Sequence, residues 1–235
     1  MVSLPIKGTD RKISFASSKI IAVGLNYHAH VTESKAFDLK KLDVPTEPVL
    51  FAKTPNVLIG PEEPIVIPGF LKEYHFDESR IDPEAELAII ISKKCKNVRE
   101  EDAYEFVLGY TCFNDVSQRN IQKLDVSGWF RGKSFDTFGP IGPLIIPSAL
   151  MPNPQNLAIS CRINGKITQA ASTADMIFSI PQLISFISKN VTLEAGDIIA
   201  TGTPSGVSPI KAGDEVEVEI EGIGILKNPV IEEIV

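Results

Sequence analysis

Several groups of residues in this chain have types and spacings suited to chemistry. Glu84 and Glu86 stand two apart at the mouth of the apolar run 87–91, so an extended backbone puts both carboxylates on one face. Two like charges side by side call for a partner, and carboxylate oxygens suit a hard divalent cation such as Mg2+, Mn2+ or Ca2+. The pair also reads as two ordinary glutamates on a solvated strand end, the commoner state for Glu. His30 and Glu33 become i, i+3 neighbours if a helix starts here with Asn26 as its N-cap. A carboxylate so placed fixes the imidazole tautomer and raises its basicity, as a general base requires. A surface ion pair has the same spacing. Asp115 is a third carboxylate at a strand end, followed by Arg119 and Gln122 on one helical face. Lys133, in the aromatic, Gly-bearing segment 129–138, either binds an anionic substrate or lays its stem along apolar surface. The Gly/Pro loop 201–206 offers hydroxyls and amides to a small anion or oxyanion; taken alone it is weak evidence.

The elements that must position these groups are short. Residues 19–25 form a strand ending at a Gly turn, and 47–53 form another with Lys53 at its end. Residues 34–46, polar and weakly periodic, read as a mobile connection. The segment 68–83 reads as a loop leading to the Glu84/Glu86 strand. Val107 to Phe113 is a strand that delivers Asp115. Beyond Pro140 the pattern is strongly β, with a hairpin at Asn164-Gly165, a helix from Ser179 carrying Pro181 in its first turn, and an alternating strand up to Ile220. Residues 1–18 look like a lead-in with at most one edge strand. The count is many short strands and few short helices, a mainly β (α+β) fold.

The bulk properties narrow the classes. The chain has 235 residues, 43% of them hydrophobic, enough for one large domain with a substantial core. A net charge of −7, with no basic stripe, argues against nucleic acid or an anionic membrane as partners. Cys95, Cys112 and Cys161 are widely spaced and odd in number, which points to free thiols in a reducing compartment. The start Met1–Val2–Ser3–Leu4–Pro5 lacks a signal-peptide pattern, and no apolar run approaches the ~20 residues of a membrane helix. The expectation is a soluble, cytoplasmic protein.

Taken together the chain resembles the fumarylacetoacetate hydrolase family. The resemblance rests on Val23-Gly24-Leu25-Asn26-Tyr27 with His30 and Glu33, Glu47 to Lys53, Glu84-Ala85-Glu86-Leu87-Ala88, and Gly109-Tyr110 to Ser117 with Arg119 and Gln122. It continues through Arg131 to Asp136, Met176 to Pro181, and Thr192 to Val207. These pieces follow in family order over roughly residues 20–226. The resemblance implies a mixed β-sandwich roll of several small sheets, a catalytic domain over 19–235, a homodimer, and Mg2+ or Mn2+ held by Glu84, Glu86 and Asp115. Pro83 departs from the family pattern but leaves the ligand side chains untouched.

The activity so implied is metal-dependent cleavage of a carbon–carbon bond in acylpyruvate-type 2,4-dioxo acids through a metal-stabilised enolate, with oxaloacetate decarboxylation as a neighbouring reaction. In that scheme His30, oriented by Glu33, deprotonates the attacking water. Gln122, Lys133, Arg119 and the Thr203 hydroxyl or the Gly202 amide hold the 2-oxo acid, and the segment after Glu33 is a lid. The alternative is an isomerase or decarboxylase of ring-cleavage dioic acids, whose second carboxylate would need Arg131 or Lys53 as receptor. A non-catalytic acid- or metal-binding protein has no use for the His30–Glu33 pair.

Overall fold

A computed structural model of the chain describes residues 2–15, 19–36, 44–126 and 128–234. Most strands gather into a seven-stranded and a five-stranded sheet, in keeping with the expected mainly β architecture. In the larger sheet the order is Val49–Lys53, Ile20–Gly24, Ile198–Ala200, Ala85–Ile91, Val107–Asn114, Gly139–Pro147 and Leu58–Ile59. The two edge strands are neighbours in sequence, linked through the turn Pro55–Val57. A flat sheet of this width would hold its edges about 29 Å apart. The five-residue step from Lys53 to Leu58 spans at most about 18 Å. The sheet must therefore curl.

The central strand Ala85–Ile91 shows which way. It is buried throughout, and its side chains divide by parity between two apolar clusters. Leu87, Ile89 and Ile91 join Ile159, Cys161, Val216, Val218 and Leu226, so this face packs on the five-stranded sheet. Ala88 and Ile90 join Ile20, Ala22, Phe113, Ile198 and Ala200 on the opposite face. Lys53 pairs in register with Ile20 and so points to that second face. Its Nζ reaches Asp115, four strands away, at 2.6 Å. The curl closes around the second cluster.

The smaller sheet runs Lys166–Ser172, Ala158–Ile163, Glu215–Ile220, Gly224–Glu232 and Ile65–Ile67. Its hairpin turns at Asn164-Gly165, both at positive φ (51° and 76°), the conformation that a two-residue hairpin requires. The helix Ile180–Asn190 starts at Ser179 with a capping box to Gln182. Two segments hold more structure than their composition suggests. Ser3–Pro5 and Lys12–Ser14 form a two-stranded hairpin, because Val2, Leu4, Ile6 and Phe15 are buried in the second cluster. Within 68–83, a 3-10 helix Gly69–Tyr74 leads to the short strand Ile81–Asp82, which pairs with Ser117–Gln118. Among the described residues no helix is long and apolar enough to cross a membrane, and the three cysteines are free and buried.

Asn26 is not a helix cap. The helix His28–Ala36 begins one residue later than that reading needs, with Val31 N–H donating to the Tyr27 carbonyl. The fully buried Asn26 side chain instead ties together three segments. Its Nδ2 donates to Thr201 O (2.8 Å) and Phe178 O (3.2 Å), and its Oδ1 accepts from Phe178 N–H at 2.8 Å. Local capping preference loses to three long-range bonds in a dry interior. Replacement Asn26→Ala leaves a buried amide and carbonyls unpaired. It should cost about 2–3 kcal/mol, a fall in Tm of roughly 4–12 °C in thermal denaturation; a wild-type melting curve would contradict this assignment.

Candidate functional site

Strand direction brings the site together. Ile20–Gly24 and Ile198–Ala200 run parallel, while Ala85–Ile91 runs against both and Val107–Asn114 against it. One end of the sheet therefore collects the loops after Gly24, Ala200 and Asn114 and the start of the Glu84/Glu86 strand. Parity does the rest. Glu84 and Glu86 share the face of Ala88 and Ile90, and Asp115 follows Phe113 onto that face. Carboxylate oxygens of Glu84, Glu86 and Asp115 lie within 4.8 Å of one another, all buried.

Such a cluster survives burial only with cations beside it. Lys133 Nζ donates to Glu84 Oε2 (2.6 Å) and Asp115 Oδ2 (2.7 Å), and Arg119 Nη2 to Glu84 Oε1 at 2.6 Å. Lys53 holds Asp115 Oδ1 from behind. Burial works to raise the Glu84 carboxyl, but Lys133 and Arg119 beside it hold it well below the usual range. Glu86 is the exception. Among the described residues its side chain accepts only the Gly202 N–H, at 2.8 Å, and burial, with the charges of Asp115 and Glu84, pushes its carboxyl well above normal. Gly202 sits at φ +96° with a Cβ position 2.8 Å from Asn26 Cβ, so only glycine brings its amide here. Three hard oxygen donors, one of them short of positive charge, fit a divalent cation such as Mg2+ or Mn2+.

The second group is His30 with Glu33. Nδ1 of His30 lies 3.2 Å from Glu33 Oε2, and both Glu33 oxygens accept the Gly206 N–H (3.0 and 3.1 Å). Partial burial raises the Glu33 carboxyl, yet the His30 bond and the Gly206 amide bring it below its ordinary value. An ionised Glu33 takes the Nδ1 proton as its donor and leaves Nε2 as a base. His30 lines the same cavity of about 130 Å³ as Glu84, Glu86, Asp115, Arg119, Gln122 and Lys133. Phe51 and Trp129, in edge-to-face contact at 5.4 Å, give it an apolar wall.

The sequence model of the fumarylacetoacetate (FAA) hydrolase C-terminal family matches residues 19–231. The chain belongs to the fumarylacetoacetate hydrolase family. A mitochondrial oxaloacetate tautomerase from Xenopus laevis is 42% identical over 221 residues, 91% of this chain and 65% of that protein. Among solved structures, 5-carboxymethyl-2-hydroxymuconate delta-isomerase from Mycobacterium smegmatis matches with a TM-score of 0.79 at 41% identity, covering 92% of this chain and 78% of that one. The maleylpyruvate hydrolase of Sphingobium sp. SYK-6, in complex with manganese (II) ion and pyruvate, matches with a TM-score of 0.76 at 34% identity, over 92% of this chain and 71% of that one.

Not every residue assigned to the family's site reaches the cavity. Lys53 is sealed off, its side chain fully buried and its ammonium spent on Asp115, Val116 O and Lys133 O. Arg131 is exposed, donates to the Tyr74 hydroxyl at 2.7 Å, and does not line the cavity. Among the described residues, then, neither faces the cavity as the expected receptor of a second carboxylate would. Thr203 lines the cavity, but its hydroxyl donates to Ala85 O (2.9 Å) and accepts from Gln169 Nε2 (2.8 Å), so its proton is committed, as is the Gly202 amide. Gln122 Oε1 accepts from Arg119 Nη1 at 3.2 Å, leaving its Nε2 as the donor. The part of the expected lid that falls on 37–43 lies outside the described residues.

Other site residues escaped the sequence reading. Asn114 Oδ1 accepts Glu84 N–H and Gln169 Oε1 accepts Ala85 N–H, which fixes the backbone between the two glutamates. Asp82 accepts from both Arg80 Nε (2.9 Å) and Arg119 Nε (2.7 Å), and Arg80 and Asp82 line the cavity. Their signal was present as charge at every second position, Arg80, Asp82, Glu84, Glu86, the period of an extended chain.

The raised Glu86 carboxyl has a measurable sign. A carboxyl titrating higher in the folded than the unfolded state stabilises the fold below its unfolded value, about 4.3, and this contribution is lost as pH rises through the folded value. In EDTA, Glu86→Gln, which keeps an acceptor for Gly202, should gain Tm relative to the wild type as pH rises above the unfolded value of about 4.3. A gap that narrows with pH would show that Glu86 is not the strained member.

Proposed function

We propose that this protein is a divalent-metal-dependent enzyme that moves a proton at the carbon beside the keto group of a short 2-oxo acid, with keto–enol interconversion of oxaloacetate as its reaction. The observation that carries this reading is the meeting, in one cavity, of three clustered carboxylates and an imidazole with its Nδ1 held by an ionised Glu33. The tautomerase from Xenopus laevis, similar over 91% of this chain, and the manganese and pyruvate held by the Sphingobium hydrolase support it. A bound Mg2+ or Mn2+ supplies Lewis acidity at the keto oxygen, which lowers the cost of the enolate.

The chain's own residues do the remainder. In the keto-to-enol direction His30 Nε2 takes the proton from the carbon, and the enolate oxygen takes one up from solvent. In the reverse direction the enol oxygen gives its proton to solvent and His30 protonates the carbon. Glu33 keeps the Nδ1 proton and balances the imidazolium. The Lys133 ammonium, facing the carboxylates, adds positive charge where the enolate oxygen gains negative charge. Arg119 and the Gln122 amide hold the acid's carboxylate. Trp129 and Phe51 keep water from one side.

A second reading is favoured by the same dyad. A base supported by both a carboxylate and a backbone amide also suits activation of a water, and acylpyruvate hydrolysis would use His30 Nε2 for that step. Decarboxylation of oxaloacetate, by contrast, needs only the electron sink.

The test follows enol-to-keto conversion of oxaloacetate by absorbance, pyruvate release, and acetylpyruvate cleavage, each with Mg2+ or Mn2+ and with EDTA. Oxaloacetate conversion should require the metal and fall at least about 100-fold in His30→Ala. Glu84→Gln should lose metal binding by calorimetry. Metal-dependent cleavage of acetylpyruvate without oxaloacetate conversion would move the assignment to the hydrolase. Activity untouched by EDTA or by His30→Ala would overturn both readings.

A further inference from the structure

One wall of the cavity is built by residues from distant parts of the chain. Gly24 ends the strand Ile20–Gly24, Phe51 lies on the neighbouring strand Val49–Lys53, and Trp129 precedes the helix Phe130–Lys133. The indole rests on the Gly24 backbone. A Cβ at residue 24 would stand 2.4 Å from Trp129 Cζ3 and 2.9 Å from its Cη2, so only glycine lets the ring sit there. The wall starts at the cation site. The Lys133 ammonium, paired with Glu84 and Asp115, stands 5.0 Å from the centre of the Phe51 ring, and Phe51 in turn meets Trp129.

At Trp129 this wall is one ring thick. Phe51 is held by its strand pairing with Ala22 and packs against the second apolar cluster. Trp129 is half-buried, and behind it Gly24 offers backbone alone. When the carboxylate and keto group of an acid occupy the polar end, the apolar lining left for its remaining carbons is Val23, Leu25, Phe51, Trp129 and Val207. Arg80, Asp82 and Lys123, which also line the cavity, are charged and give an alkyl chain no apolar cover. A cavity of about 150 Å³ holds one benzene ring, and this one is about 130 Å³. A tail of more than a few carbons therefore meets the indole. In an open apolar groove each added methylene tightens binding; against a packed ring it must displace the ring first.

We infer that Trp129, seated on Gly24, sets the length limit of the substrate and confines the cavity to 2-oxo acids of about four or five carbons. This rests on the proposed 2-oxo acid chemistry and adds to it the residue that rejects longer homologues.

The test is calorimetric titration of the full chain, with saturating Mn2+, by 2-oxobutyrate and by 2-oxooctanoate, which differ only in the length of an uncharged tail. The wild type should bind 2-oxobutyrate at least about tenfold tighter than 2-oxooctanoate. Trp129→Ala should remove or reverse that preference, and Trp129→Phe, with its smaller ring, should lie between. Gly24→Ala, whose added Cβ displaces the indole, should change the ratio of the two affinities at least about threefold in the wild type. In the Trp129→Ala background it should leave that ratio within about twofold. A merely loosened site would weaken both acids together and keep their ratio. Melting curves check each fold, and if Trp129→Ala does not fold, Trp129→Phe decides. A wild type that binds the longer acid as tightly as the shorter one would overturn the inference. So would a ratio unmoved in folded Trp129 variants, loss of both acids alike, or the same Gly24→Ala effect with and without the indole. Each of these leaves the 2-oxo acid reading in place. Failure of the wild type to bind either acid with Mn2+ present would overturn both.

Discussion

The rest of the molecule depends on how buried like charges are kept together. Removing a carboxylate from water costs several kcal/mol even after relaxation, and this chain does so at four adjacent positions, Asp82, Glu84, Glu86 and Asp115. Each of three is held by at least one Lys or Arg at hydrogen-bonding distance. Those cations arrive from different parts of the chain: Lys53 from an edge strand, Arg119 from the helix Arg119–Leu124, Lys133 from the helix Phe130–Lys133. The ion pairs thus do the tertiary work that apolar contacts do elsewhere, tying loops to the sheet where the two apolar clusters do not reach. Glu86, with one amide and no cation of its own among the described residues, is where this compensation stops, and that deficit is what a divalent ion would meet.

A second constraint supports the first. Lys53 reaches Asp115 only because the seven-stranded sheet curls back on itself, and the curl follows from the short link between its edge strands. Burial pushes the Lys53 ammonium below its ordinary value even with Asp115 beside it. An ammonium so placed is a structural counter-ion, and the cavity on the other side of Asp115 is left to Arg80, Arg119, Lys123 and Lys133.

Local periodicity carried much of this into the sequence. A spacing of two announced the Glu84/Glu86 pair, a spacing of three announced His30 and Glu33, and the apolar run behind Glu86 announced a strand buried on both faces. The Asn164-Gly165 hairpin and the Ser179 start of a helix were equally plain, since each rests on a few contiguous residues. What sequence alone misplaced depends on distance in the fold. Lys53 looked like a free cation at a strand end because nothing local shows the curl that buries it. Asn26 looked like a cap because its partners are more than 150 positions away. Arg80 and Asp82 were passed over because polar, Pro-bounded sequence reads as loop, although their two-residue rhythm continues that of the glutamates.

That rhythm ties the chemistry to chain length rather than to composition. Glu84 and Glu86 face the cation cluster because they share parity with Ala88 and Ile90, while Ala85, Leu87 and Ile89 face the other way. Inserting or deleting one residue within the strand would exchange the two sets, turning carboxylates into the apolar layer between the sheets and leucine and isoleucine into the site. Side chains along Ala85–Ile91 can be traded one for another at graded cost. Its residue count cannot change by one without dismantling the core and the site at the same stroke.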